Sequence, residues 1–316
     1  MQLRDAIFTV VSRPGPAEQR VLARLEGSAT SKRRLGGDVA LRTIESLPAA
    51  PSQAPTLVFL PGRGHSAAMW TPFIAAFRER APVIAFDLPG FGHSGASTKP
   101  PRSEDEALQF FARPIEQALA EVGPIVFVGH SLGGLCAIEI ALRKTLDVVG
   151  LVLIGSMGLG PYVTPRARTY LRVGPERLAR LASHLRTSGP GVSHAAKDAD
   201  MVALRHELHA VPGGRPLAKR AFDRLVPLFG DAISRRERLP ELCQPTLLLW
   251  GDHDEAFPLP IAMAAQALLP RAELLVLPAG HSPHLEVPDL VLAKLEHFLE
   301  PLLGPPAASF TRTRAP

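Results

Sequence analysis

The chain has 316 residues, with 46% apolar and 21% charged side chains and a formal net charge of +5. That composition excludes a wholly disordered chain, because enough apolar surface exists to offset ordering entropy. No run approaches the roughly 18 apolar residues of a membrane span, Cys136 and Cys243 are too few for a disulfide framework, and mild charge with 6% aromatics argues against a nucleic-acid partner.

Residues 1–37 read as a loosely attached N-terminal arm, carrying Arg13-Pro14-Gly15-Pro16 and the basic run Lys32-Arg33-Arg34. Its apolar stretch 6–11 is too short for the core of an export signal, so the cytoplasm is the default location. Residues 39–45 suggest an early antiparallel strand. Continuous apolar runs follow at 56–60, 82–86, 125–128, 150–154, 246–250 and 274–277. Such runs fit strands covered on both faces, as in a parallel sheet. Helical patterns at 104–122 and 132–144 alternate with them, which implies βαβ units in an α/β fold.

Between 161 and 239 no strand-like run occurs, and helical patterns span 166–185, 195–210 and 216–236. This reads as a helical cap inserted into a core of 38–160 and 240–303, with a disordered tail at 304–316. Residues 161–239 hold 15 Lys/Arg against 7 Asp/Glu, leaving 20 against 23 elsewhere. The positive excess therefore sits on the insertion. It would steer an acidic substrate or carrier there, or it is a solvated arginine-rich face.

The motif that carries chemistry is Gly129-His130-Ser131-Leu132-Gly133. It follows an apolar strand and opens a helix, the context of a G-x-S-x-G nucleophile elbow. The chain turns sharply there, small flanking residues avoid clashes, and the serine hydroxyl is exposed at the carboxyl edge of the sheet. A serine needs a base, and the base an orienting acid. Gly251-Asp252-His253-Asp254 and Pro278-Ala279-Gly280-His281 follow later strands at that same edge.

Together with Leu60-Pro61-Gly62-Arg63-Gly64 and Asp87-Leu88-Pro89-Gly90-Phe91-Gly92-His93-Ser94, these motifs resemble the α/β-hydrolase superfamily, in its capped serine-hydrolase, esterase/lipase-like branch. The resemblance covers roughly residues 38–303 and implies a mostly parallel eight-stranded sheet flanked by helices. It implies Ser131 as nucleophile, His281 as base and Asp254 as orienting acid, with Asp252 the competitor for that role. His253 and His284 are then surface or outer histidines. The backbone N–H groups of Leu132 and Arg63 would form the oxyanion hole. The family often has His-Gly where this chain has Pro61-Gly62. A serine at the elbow disfavours the dehalogenase and epoxide-hydrolase activities, whose nucleophile is Asp.

Trp70, Phe91, His130 and Met157, with Met69, are candidates for the acyl pocket or else core residues. No cofactor or metal is expected: His206-Glu207-Leu208-His209 has i, i+3 rather than i, i+4 histidines. Cys136 reads as a buried packing residue. The expected function is a serine hydrolase cleaving a carboxylic ester or related small acyl compound through an acyl-enzyme. The alternatives are a thioesterase or acyltransferase acting on groups carried by coenzyme A or an acidic carrier protein, and a catalytically silent ligand-binding member.

Overall fold

A computed structural model describes residues 14–50, 52–173, 198–210 and 215–304. Eight strands form one sheet: β1 Thr30–Gly36, β2 Val39–Ser46, β3 Thr56–Leu60, β4 Val83–Phe86, β5 Ile125–His130, β6 Val148–Ile154, β7 Thr246–Gly251 and β8 Ala272–Leu277. Their order is β1-β2-β4-β3-β5-β6-β7-β8. β2 runs antiparallel to both neighbours, and every pair from β4 to β8 is parallel.

The unbroken apolar runs have a direct physical cause. Side chains alternate across the sheet, and both faces are covered at β3, β4, β5 and β7, whereas on edge strand β8 Val276 is exposed. Val58, Leu60, Phe127, Leu151, Leu153, Leu248 and Trp250 join one core. That core includes residues of α3 Glu104–Ala118 and α4 Leu132–Arg143. Leu57, Phe59, Val126, Val128, Val152, Ile154, Leu247 and Leu249 join the other. It includes residues of α1 Pro16–Ala23, α2 Thr71–Phe77 and the C-terminal helix Pro288–Leu303. Each large apolar side chain so buried contributes about 1.5–3 kcal/mol.

The N-terminal segment differs from the expected loose arm. Ala17, Val21 and Leu25 recur every fourth residue and are buried, as one face of a helix requires. Glu18 is buried too, 2.8 Å from Arg42 and paired with His93. The basic run lies on edge strand β1, joined to β2 by the two-residue Gly37-Asp38 hairpin. Lys32 and Arg34 both pair with Glu45. Charges of this kind protect a sheet edge from further pairing.

Between β6 and β7 the described residues contain α5 Pro165–Val173 and the helices Ala199–Ala210 and Arg215–Leu225. The last is shorter than the expected 216–236, because Pro227 and Gly230 interrupt the pattern. The expected helical residues 174–185 and the tail beyond 304 lie outside the described residues. Helix Ala199–Ala210 packs on α1, whose first N–H groups donate to Glu207 from Ala17 at 2.8 Å and Glu18 at 3.3 Å. Arg24 pairs with Asp198 and Asp200 beside that contact. Among the described residues, no helix is long and apolar enough to cross a membrane.

Candidate active site

Ser131 sits between β5 and α4 with φ 51° and ψ −115°, a conformation that costs a non-glycine residue about 1–3 kcal/mol. Its surroundings enforce the turn. Ser131 N–H donates to the Ile154 carbonyl at 3.0 Å, and its own carbonyl accepts from Met157 at 3.1 Å and Leu135 at 3.2 Å. The flanking glycines are sterically required. A Cβ on Gly129 would lie 2.7 Å from the Gly134 Cα, and one on Gly133 would lie 2.3 Å from the Leu60 carbonyl oxygen.

His281 lies in the loop after β8. Its Nδ1 is 2.9 Å from Asp254 Oδ2, and its Nε2 is 3.1 Å from Ser131 Oγ. A carboxylate only accepts, so the proton on Nδ1 faces Asp254 and Nε2 presents its lone pair to the serine hydroxyl. The second Asp254 oxygen accepts the N–H groups of Ala256 at 2.8 Å and Phe257 at 2.9 Å. These bonds fix the carboxylate rotamer. Burial pushes the His281 pKa down, but the charge of Asp254 and its hydrogen bond outweigh that, so it stands above the ordinary histidine value.

Asp252 does not touch His281. It accepts the part-buried Ala279 N–H at 3.1 Å and contacts His253 at the exposed rim. Burial distinguishes the two aspartates: Asp254 is buried and Asp252 exposed. Glu286, which sequence reasoning missed, accepts from Gly280 N–H at 2.7 Å and Ser282 N–H at 3.1 Å. It clamps the loop carrying His281 from both sides. Its signal was Pro283, a residue suited to starting the short helix Pro283–Glu286.

Leu132 is the first residue of α4, where N–H groups have no intrahelical acceptor. The loop after β3 meets Ser131 through Gly62: a Cβ there would stand 3.3 Å from Ser131 Cβ and 2.6 Å from His130 Nδ1. Arg63 follows directly, its guanidinium 4.9 Å over the Phe222 ring. Asp87 braces this loop by accepting the Ala67 N–H at 2.6 Å and the His93 N–H at 2.7 Å.

The side chains considered for a pocket are all buried. Trp70 packs on Phe59, Phe73 and His284, with Met69 in the same core. Phe91 stacks on Phe111, and Met157 lies in the opposite core. His130 is 2% exposed and reaches the His281 carbonyl oxygen at 3.0 Å from Nε2. His284 is not at the surface but 2% exposed beneath His130. Cys136 is buried, and burial raises its thiol pKa. The side chains of His206 and His209 lie outside the described residues.

A strained serine between strand and helix, bonded to a histidine that is bonded to a buried carboxylate, on a sheet of this order, defines an α/β hydrolase. The match to the alpha/beta hydrolase family model spans residues 57–294, and the chain belongs to that family. It is 30% identical over 269 residues to a pimeloyl-[acyl-carrier protein] methyl ester esterase of Stenotrophomonas maltophilia, covering 79% of this chain and 95% of the esterase. It is 28% identical over 293 residues to a magnesium-chelatase 30 kDa subunit of Rhodobacter capsulatus, covering 86% and 95%. Among solved structures, it is similar to a meta-cleavage product hydrolase of Pseudomonas fluorescens, with TM-score 0.67, 26% identity and coverage of 85% and 97%. A Bacillus subtilis carboxylesterase shares the fold, with TM-score 0.67, 22% identity and coverage of 90% and 96%.

Proposed function

We propose that the chain is a serine-dependent carboxylic ester hydrolase. The reading rests on the continuous hydrogen-bond chain from Ser131 Oγ through His281 to Asp254. Ser131 Oγ attacks the ester carbonyl carbon as its proton passes to His281 Nε2. The carbonyl oxygen becomes an oxyanion held by the N–H groups of Leu132 and Arg63, where one donor is typically worth about 10²–10³ in rate. The tetrahedral centre collapses, the C–O bond to the alcohol breaks, and His281 gives that alcohol its proton. Water then attacks the acyl-enzyme, losing a proton to His281. The Ser131 ester bond breaks, the acid departs and the proton returns to Ser131. Asp254 holds the Nδ1–H tautomer throughout and stabilises the imidazolium.

Intact mass after fluorophosphonate treatment tests this reading. One adduct per native chain is expected, absent from Ser131→Ala and slow to form on His281→Ala. A folded native chain that gains no adduct would overturn it and leave ligand binding as the function.

A carrier-bound acyl ester is the second reading. It is supported by the similarity to an esterase named for an acyl-carrier-protein ester and by the basic excess at 161–239. Docking of an acidic carrier on that region predicts kcat/KM that falls with salt for the carrier-bound ester but not for a small neutral one. Equal salt dependence for both would exclude it.

A further inference from the structure

We propose that His65, His130 and His284 form a binding site for one borderline transition-metal ion, Zn²⁺ foremost, beside the nucleophile. One ring nitrogen from each lies within 4.8 Å of the others. A tetrahedral zinc with bonds of about 2.0–2.1 Å brings its ligands to about 3.4 Å apart, so ring movements on the order of 1 Å complete the set. The rings already lie close together. His130 and His284 have centroids 4.4 Å apart, and His65 stacks on His130 at 5.7 Å and 13°.

The protonation of His130 carries the argument further. Its Nε2 faces the His281 carbonyl oxygen at 3.0 Å. A carbonyl only accepts, so Nε2 bears the proton and Nδ1 a lone pair. Among the described residues that Nδ1 is buried without a hydrogen-bond partner, and so is Nδ1 of His284. An imidazole whose far N–H is fixed by a backbone carbonyl is the usual arrangement around a metal. Gly62 leaves the space beside Nδ1, since a Cβ there would sit 2.6 Å away. Burial, followed by the neighbouring histidines, holds both rings in the neutral form that ligates. An all-nitrogen set selects Zn²⁺, Cu²⁺ or Ni²⁺ over Mg²⁺ or Ca²⁺. His65 is only partly buried and opens the set to solvent. A bound ion would tie the loop after β3, the residue before Ser131 and the helix Pro283–Glu286 together.

The test uses the full chain, stripped with chelator and carrying Cys243→Ser and His253→Gln to remove two exposed candidate ligands. Zn²⁺ is titrated in competition with a chromophoric chelator, and Co²⁺ absorption reports the ligand geometry. One equivalent is expected, with a melting temperature that rises on saturation. His65→Ala should weaken binding by more than the about 10–100-fold that outer-shell changes cost. His284→Gln should do the same where circular dichroism shows it folded, and His65→Ala covers the case where it does not fold. Absence of binding, or affinity unchanged in His65→Ala, would overturn the proposal.

Discussion

His281 and the pair His130/His284 lie side by side, with ring centroids 4.9 Å apart for His281 and His130. Burial disfavours the charged form of all three, yet the outcomes differ in sign. His281 stands above the ordinary value, while His130 and His284 lie well below it. The difference is carboxylate charge, from Asp254 first and Glu286 second. Asp254 faces His281 Nδ1, whereas His130 and His284 face mainly other imidazoles. Under the same desolvation, nearby carboxylates raise one imidazole, the proposed base, while its neighbours stay neutral, lone-pair-bearing rings.

The largest effect comes from removing the proposed nucleophile. Ser131→Ala is expected to lower ester turnover by about 10⁶-fold, the scale of losing a working nucleophile, with folding unchanged by circular dichroism. Residual turnover within tenfold of native would place the chemistry elsewhere. Asp254→Asn breaks the comparison directly by making His281 resemble its neighbours. Burial is then opposed only by the charge of Glu286, and kcat should fall about 10⁴-fold as the tautomer is lost. The pH profile carries the sign. The base works only when neutral, so kcat/KM of chelator-treated native protein rises with pH through a His281 pKa above the ordinary value. In Asp254→Asn that inflection should move to lower pH, and an unmoved inflection would assign it to another group.

His130 sharpens the comparison from the other side. His130→Phe removes the Nε2–H that satisfies the His281 carbonyl, and leaving a buried acceptor unpaired costs about 1–3 kcal/mol of stability. His130→Gln, which offers an N–H, should recover part of that loss in denaturant unfolding. Equal destabilisation by both would show that ring packing, not the hydrogen bond, holds the loop.

What the sequence disclosed follows from how local each signal is. The elbow is written in consecutive residues; Gly129 is explained by atoms of its own turn, whereas Gly133 is required by the Leu60 carbonyl at the end of β3. The sheet was legible because its runs are apolar on both faces. β1 was not, because Thr30–Gly36 is an edge strand with exposed, charged positions and carries no apolar run to read. α1 was missed because its burial depends on Arg42, His93 and Glu207, which lie distant in sequence. The gathering of His65, His130 and His284 is likewise tertiary: His65 follows β3, His130 ends β5 and His284 follows β8, and only the sheet order brings those strand ends together.

The smallest predicted effect separates Asp254 from Asp252, its competitor for the orienting acid. Asp252 and Asp254 occupy one turn after β7, and a carboxylate at either position fits a strand-end acid. Their partners separate them: Asp252 holds Ala279 N–H and His253 at the rim, while Asp254 bonds His281. Asp252→Asn keeps a side-chain oxygen able to accept the Ala279 N–H. It should leave kcat within about threefold of native, because Asp252 bonds Ala279 N–H and His253 rather than His281 and surface substitutions of this kind are usually mild. The His281 inflection should stay where it was. A loss of about 10⁴-fold in Asp252→Asn, the scale of losing an orienting acid, with a near-native Asp254→Asn, would reverse the two roles.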